Sequence, residues 1–321
     1  MARRSVYLAL AIAASGCAQG VPATPVARFG AARAGLRPAA HFYGNDWMYA
    51  SQPSADEVVV YERKPKYYKL KSYKTLSSGF SSPMGMVATR DGTWYVTNSG
   101  SSDILVYRTT RKGPQGPTAT LSDNGEVPVN VAAASDQNLV AVSNFSSTGS
   151  GAGSVSVYLD KGDAPSRTLT YGNDPIRGEG IAIDSSGNCY WSFDDPKTFT
   201  GSIVEFSGCS GSGTLLRSGI LVAGGMAFDR DGNLYYVDQL LGIFKCERLS
   251  SCGLFLSVGG LTGLILPKNI NFDNSASQNL WVADAGGYID AVNLQGIIVY
   301  VLQVLDGLLD PPVGIAPAPG S

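Results

Sequence analysis

One histidine, His41, stands in a chain of 321 residues, so the commonest proton carrier of enzyme sites is nearly absent. A Ser-His-Asp hydrolase needs an imidazole beside its nucleophile, and His41 precedes the first strand-like segment, in a stretch that reads as linker. Charge is thin as well: 16% of the residues are Asp, Glu, Lys or Arg, and the formal net charge is -2. Such a chain has no basic field to hold a phosphate backbone, which excludes nucleic acid as a partner. The five cysteines include no CxxC pair, so a structural zinc site lacks its usual ligand spacing. Long periodic runs of Lys, Glu and Ala, the mark of a helical protein of this size, are missing too.

What is present is 39 glycines and 44% hydrophobic residues, arranged as short apolar runs broken by Gly, Asn, Asp and Ser, a pattern of many short strands joined by tight turns. The N-terminus differs from the rest. Arg3 and Arg4 flank an apolar stretch from Val6 to Ala14, followed by the small residues Ser15 and Gly16 and by Cys17. This is the layout of an export signal, too short to span a bilayer. The ending AASGC resembles a bacterial lipobox, with Ala14 where Leu is usual. Acylation of Cys17 and plain cleavage near Ala18 both remain open, and either puts the mature chain outside the cytoplasm: in the bacterial periplasm, at the outer membrane or at the cell surface. Residues 18–41 are a Pro, Ala and Gly-rich tether, and residues 42–321 form the folded part.

Within that part a phrase repeats: GMVATRDGTWYVTN from Gly85, GIAIDSSGNCYWSF from Gly180, GMAFDRDGNLYYVD from Gly225 and NINFDNSASQNLWVAD from Asn269, with a weaker copy from Asn130. The starts at Gly85, Asn130, Gly180, Gly225, Asn269 and Gly314 are 45, 50, 45, 44 and 45 residues apart, the length of a four-stranded blade. A lone four-stranded sheet cannot bury either face, so such units must stack. One copy is split. VGIAPAP from Val313 reads as a first strand with nothing after it, while DWMYAS from Asp46, EVVVYE from Glu57 and the stretch from Tyr67 to Thr75 read as second, third and fourth strands. The sequence therefore predicts an all-β, six-bladed β-propeller closed by pairing its C-terminal strand with N-terminal strands.

The phrase G-(I/M)-A-x-D-x-x-G-N-x-Y, clearest at Gly180 and Gly225, resembles the NHL repeat and the related SMP-30/gluconolactonase-like propellers over 42–321. That resemblance implies the architecture and leaves function open, because the fold hosts lactonases, lyases and proteins that only bind. SMP-30-like lactonases hold a metal with a Glu from a Glu-Gly-Pro segment, two Asn and an Asp. Here Glu179-Gly180 matches the first two residues and is followed by Ile181; Asn130 and Asn269 match the Asn, and Gly224-Gly225 stands where an inner Asp is sought. The channel set Asn130, Glu179 and Asn269 is thus a candidate site for calcium, which prefers carboxylate and amide oxygens.

An outer polar ring, Asn98, Asn144, Asp194, Asp238 and Asp284, falls at the ends of second strands, where Asn and Asp also serve simply to cap turns. Cys189, Cys209, Cys246 and Cys252 remain once Cys17 is set aside; their spacing favours pairing of neighbours, Cys189 with Cys209 and Cys246 with Cys252. The Gly-rich run from Gly149 to Gly153 joins two strands and reads as a hairpin loop, not a phosphate cradle. The expectation is a monomeric, non-catalytic propeller that binds a protein, glycan or small ligand, touching a membrane only through an acylated Cys17. The alternative is a metal-dependent lactonase-like hydrolase.

Overall fold

The Asp-x-x-Gly-Asn core of the repeat is a turn that builds itself. Asp229 Oδ1 accepts from the backbone N–H groups of Asp231 (2.9 Å) and Asn233 (2.8 Å), and its Oδ2 accepts from Asn233 Nδ2 at 2.7 Å. Gly232 takes the left-handed conformation (φ +79°) that closes the turn. Asp184 does the same for Ser186 and Asn188, at 2.8 and 2.9 Å. Each turn reverses the chain between the innermost strand of a blade and its second strand.

The structure, a computed structural model, describes residues 46–64, 69–110, 112–147, 151–160, 162–172, 176–259, 264–273, 278–303 and 312–317. The stretch read as an export signal with Cys17, the stretch read as a tether, and His41 lie outside the described residues, as do Thr148, Gly149 and Ser150.

The strands form six four-stranded antiparallel meanders. Blade 1 holds β1 (Asp46–Gln52), β2 (Glu57–Lys64) and β3 (Lys69–Leu76). Blade 2 is β4 (Pro83–Ala88), β5 (Thr93–Asn98), β6 (Asp103–Thr110) and β7 (Gly113–Ser122), and blade 3 is β8 (Glu126–Ala134), β9 (Leu139–Ser147), β10 (Ser154–Leu159) and β11 (Arg167–Leu169). Blade 4 is β12 (Arg177–Ile183), β13 (Cys189–Asp195), β14 (Thr200–Phe206) and β15 (Thr214–Ile220). Blade 5 is β16 (Ala223–Phe228), β17 (Leu234–Asp238), β18 (Gly242–Glu247) and β19 (Ser251–Ser257). Blade 6 is β20 (Pro267–Phe272), β21 (Leu280–Asp284), β22 (Tyr288–Val292) and β23 (Ile298–Gln303).

The split copy closes the ring as the sequence predicts. The last strand, β24 (Ile315–Pro317), becomes the innermost strand of blade 1, pairing Ala50 with Ile315, Tyr49 with Ala316 and Met48 with Pro317. Inner strands neighbour one another in the order β24, β4, β8, β12, β16, β20 and back to β24.

The core lies in the seams. Six buried clusters sit between neighbouring blades, and the aromatics of second strands fill them. Trp94 stacks between Tyr49 (centroids 4.2 Å apart) and Tyr107 (4.4 Å) in the seam of blades 1 and 2. Cys189–Cys209 staples blade 4 and Cys246–Cys252 staples adjacent strands of blade 5, the neighbour pairings expected from spacing. Two disulfides are consistent with a location outside the cytoplasm. Among the described residues no helix is long and apolar enough to cross a membrane.

Candidate functional site

Each of the five unbroken repeats begins at a β-bulge in its inner strand. The pairing register slips between Pro83 and Met86, Pro128 and Asn130, Gly178 and Ile181, Ala223 and Met226, and Pro267 and Asn269. A bulge turns an extra residue out of the ladder and bends the strand, here at the point nearest the propeller axis. Two stacked rings result: Met84, Val129, Glu179, Gly224, Lys268 and Val313, and one residue further on Gly85, Asn130, Gly180, Gly225, Asn269 and Gly314. The second ring is mostly glycine because blades meet there. A Cβ on Gly180 would lie 2.3 Å from Gly224 O, and one on Gly225 would lie 2.5 Å from Asn269 Oδ1.

Asn130 and Asn269 stand on β8 and β20, three blades apart, so they face each other across the axis. Asn269 Nδ2 donates to Asn130 Oδ1 at 3.4 Å. Asn130 Oδ1 also accepts from Val131 N (2.9 Å), and Asn269 Oδ1 accepts from Ile270 N (2.7 Å). Both side chains are buried. Further along the axis Asn271 Nδ2 donates to Met86 O (2.9 Å) and Ile315 O (2.6 Å), tying blade 6 to blades 2 and 1. The amide oxygens placed by the sequence at the channel are therefore engaged in closing it.

Glu179 lies apart from this pair, at the mouth. Its carboxyl is half-buried and accepts no hydrogen bond from any described residue. Its pKa is pushed up to about 8, by burial and by the neighbouring Asp194, against the opposing pull of Lys268 and Arg177. Asp194 is also raised, by burial and by Asp238, although its Oδ1 accepts from Ala223 N at 2.9 Å and Arg177 and Lys268 draw it down. Burial lowers the Lys268 pKa, while Glu179 and Asp194 oppose the shift. Lys268 Nζ donates to Gln239 Oε1, and Gln239 Nε2 donates to Ala223 O at 2.5 Å. Arg177 lies over the Phe145 ring, 5.4 Å from its centroid. Two acids, Glu179 and Asp194, and two cations, Lys268 and Arg177, thus group over blades 4 to 6.

The outer ring does not converge with them, Asp194 excepted. Asp238 accepts from Leu221 N (2.8 Å) and Leu240 N (3.0 Å), and Asp284 accepts from Ile265 N (2.7 Å), Leu266 N (2.9 Å) and Gly286 N (2.7 Å). Asn98 accepts from Ser81 N at 2.6 Å. These side chains tie the loop leading into the inner strand to the end of the second strand. Asn144 departs from this pattern: its Oδ1 accepts nothing, and its Nδ2 donates to Ser154 and Ser156. Among the described residues no three His, Cys, Asp or Glu side chains group as a metal site.

Sequence reasoning missed Lys268, Gln239 and Arg177. Lys268 was accessible, because it precedes Asn269 as Glu179 precedes Gly180, one step ahead of the repeat start. It also missed an apolar crescent on the same face. Phe199, Leu221, Leu240, Leu241 and Ile265 lie in the turns of blades 4 to 6 that open around the charged group, and all are exposed, Phe199 at 82% and Leu240 at 55%. Among the described residues the matching turns of blades 1 to 3 expose no large apolar side chain.

No family model matches the chain, and no curated protein matches it. Solved structures do. A chain of a nidogen/laminin complex superposes with a TM-score of 0.62 at 16% identity, covering 85% of this chain and 98% of that one. Regucalcin from Agrobacterium tumefaciens str. C58, a calcium-binding protein, gives a TM-score of 0.51 at 16% identity, covering 69% of this chain and 74% of that one. A putative 6-phosphogluconolactonase from Bacteroides fragilis NCTC 9343 gives 0.56 at 12% identity, covering 87% and 99%. At such identities the likeness is one of fold: this chain is a six-bladed β-propeller with regucalcin among its structural neighbours.

Proposed function

We propose that this chain is a non-catalytic binding propeller of the NHL/SMP-30-like kind, exported from a bacterial cytoplasm, and that it holds a polypeptide partner at the mouth over blades 4 to 6. The observation that carries this reading is the crescent of Phe199, Leu221, Leu240, Leu241 and Ile265 around Glu179, Asp194, Lys268 and Arg177. Several large apolar groups exposed together on one face, beside charged groups, mark a protein-binding surface. Rigid turns held by Asp238 and Asp284 present them without an ordering cost at the moment of binding.

The second reading, a metal-dependent lactonase, draws on the names of two structural neighbours, regucalcin and a putative 6-phosphogluconolactonase. Three features weigh against it. The Asn130 and Asn269 oxygens are occupied by backbone donors, Gly224 supplies no ligand, and the Lys268 cation opposes a divalent ion beside Glu179. For the N-terminus we propose export, with the tether held by an acyl chain if Cys17 is modified. Labelling with a fatty-acid analogue that Cys17→Ala abolishes would establish the anchor.

The binding reading is tested by selecting peptides from a random display library on the full chain. Selected peptides should lose at least roughly tenfold in affinity when Leu240→Asp and Leu241→Asp are combined, since buried apolar anchors carry most interface energy. Peptides that bind the double variant unchanged would overturn the assignment of the surface. Metal-dependent lactone hydrolysis that disappears in Glu179→Gln would replace it with the lactonase.

A further inference from the structure

Seven buried side-chain polar atoms among the described residues have no hydrogen-bond partner, and three of them meet at one place in blade 3: Asp123 Oδ2, Glu126 Oε2 and Asn144 Oδ1. Asp123 sits in the loop between β7 and β8, Glu126 opens β8, and Asn144 lies on β9. Glu126 N donates to Asp123 O at 3.0 Å, which folds the loop so that both carboxyls turn inward. Asn144 Nδ2 donates to Ser154 Oγ (3.0 Å) and Ser156 Oγ (2.9 Å) on β10. Those hydroxyls lie beside Glu126 and Asp123 respectively. The Tyr158 hydroxyl lies 2.9 Å from both Ser122 O and Asp123 Oδ1.

Asp123 and Asn144 are each 0% exposed. Burying polar oxygens without partners is costly, and burying a carboxylate without a counter-charge more so. Among the described residues no lysine or arginine lies close enough to offset either carboxyl. The other outer-ring residues bond their oxygens to loop N–H groups; here Asn144 Oδ1 and one oxygen each of Asp123 and Glu126 beside it are left over.

We propose that Asp123, Glu126 and Asn144, with the hydroxyls of Ser154 and Ser156, bind one hard divalent cation of the calcium class. The site supplies oxygen ligands alone, two of them carboxylates, which is the donor set that calcium takes, with water filling the remaining positions. Chelation joins the loop before β8 to the end of β9 and the start of β10, and so fixes one end of blade 3. No residue is common to this site and the Glu179 group at the mouth, so the inference stands whether or not a partner binds there.

The test uses the full chain, stripped with a chelator and titrated with calcium chloride by calorimetry and by thermal melting. One ion should bind, and Tm should rise by roughly 5 °C at about a hundredfold excess over Kd. Asp123→Asn should weaken binding by at least roughly tenfold, and Glu179→Gln should leave it unchanged. If Asp123→Asn does not fold, Glu126→Gln, at a half-buried position, should weaken binding in the same way. The proposal is overturned if calcium gives neither heat nor a Tm shift, or if Asp123→Asn and Glu126→Gln fold and bind as the parent does. It is overturned equally if Glu179→Gln alone abolishes binding, which would return the ion to the channel.

Discussion

The two halves of the ring carry the same fold and spend their polar residues differently. In blades 1 to 3 the seams hold the stacked Tyr49, Trp94 and Tyr107, the loops on the mouth face are small and polar, and the acids of blade 3 turn inward. In blades 4 to 6 the same loops push out Phe199, Leu221, Leu240, Leu241 and Ile265, and both disulfides lie there. Both halves pack aromatics into their seams, and blades 4 to 6 add the disulfides and the exposed apolar turns. A propeller can vary its turns apart from its seams because each blade is a nearly complete unit whose turns are set locally.

The largest expected effect bears on whether the halves are thermodynamically separate at all. Ile315 and Ala316 are fully buried, the first in the seam with blade 6 and the second in the seam with blade 2. Ile315→Asp places a carboxylate in an apolar seam, which should cost about 5 kcal/mol or more and abolish the cooperative melt. Hydrogen exchange on this variant, or on a chain lacking 311–321, should show protection lost in all blades together. Protection kept in blades 4 to 6 would mean that the halves fold independently.

Next in size is a burden confined to blade 6. Asp290 is buried with its Oδ2 unpartnered, and its pKa is raised to about 7, by burial and by Asp284. An unfolded Asp titrates near 4, so the folded state keeps its proton over a range in which the unfolded state gives it up. The Asp290 contribution to stability should therefore fall as pH rises from about 4 to about 7, by on the order of 4 kcal/mol, and level off above that. Asp290→Asn should flatten this slope in denaturant unfolding measured across the range; an unchanged slope would assign it elsewhere.

The staples should rank by the loop each closes. Cys189 and Cys209 are 20 residues apart and Cys246 and Cys252 only 6, so replacing the first pair by serine should cost about 3 kcal/mol and the second about 2. Equal midpoints in denaturant would show that the chain-entropy ranking does not govern this half.

The architecture was legible in the sequence because its signals are local. Asp229, Gly232 and Asn233 form a turn wherever they occur in that order, and a 45-residue spacing of such turns leaves few other folds. The split copy was legible because Gly314-Ile315-Ala316 repeats the Gly180-Ile181-Ala182 phrase. The site was legible only in part. Glu179 could be singled out from the repeat, but the opposition of Asn130 and Asn269 across the axis depends on their being three blades apart in a closed ring. Lys268 and Gln239 meet through two different blades. The crescent carries no periodic signal, since single leucines in turns look alike whether they are buried or exposed.

The smallest expected change in stability is the most informative about the surface itself. Leu240 and Leu241 are 55% and 44% exposed in the folded chain, and the turn that carries them is fixed by Asp238, which accepts from the backbone N–H groups of both. Serine at both positions leaves those backbone donors in place. The pair of changes should therefore shift unfolding by no more than about 0.5 kcal/mol per site, while Asp238→Ala, which removes the tie, should cost about 1 to 3 kcal/mol. A clear loss of stability in the serine variant would mean that the leucines pack against the ring, and the contrast between the two halves would then be one of packing, not of recognition.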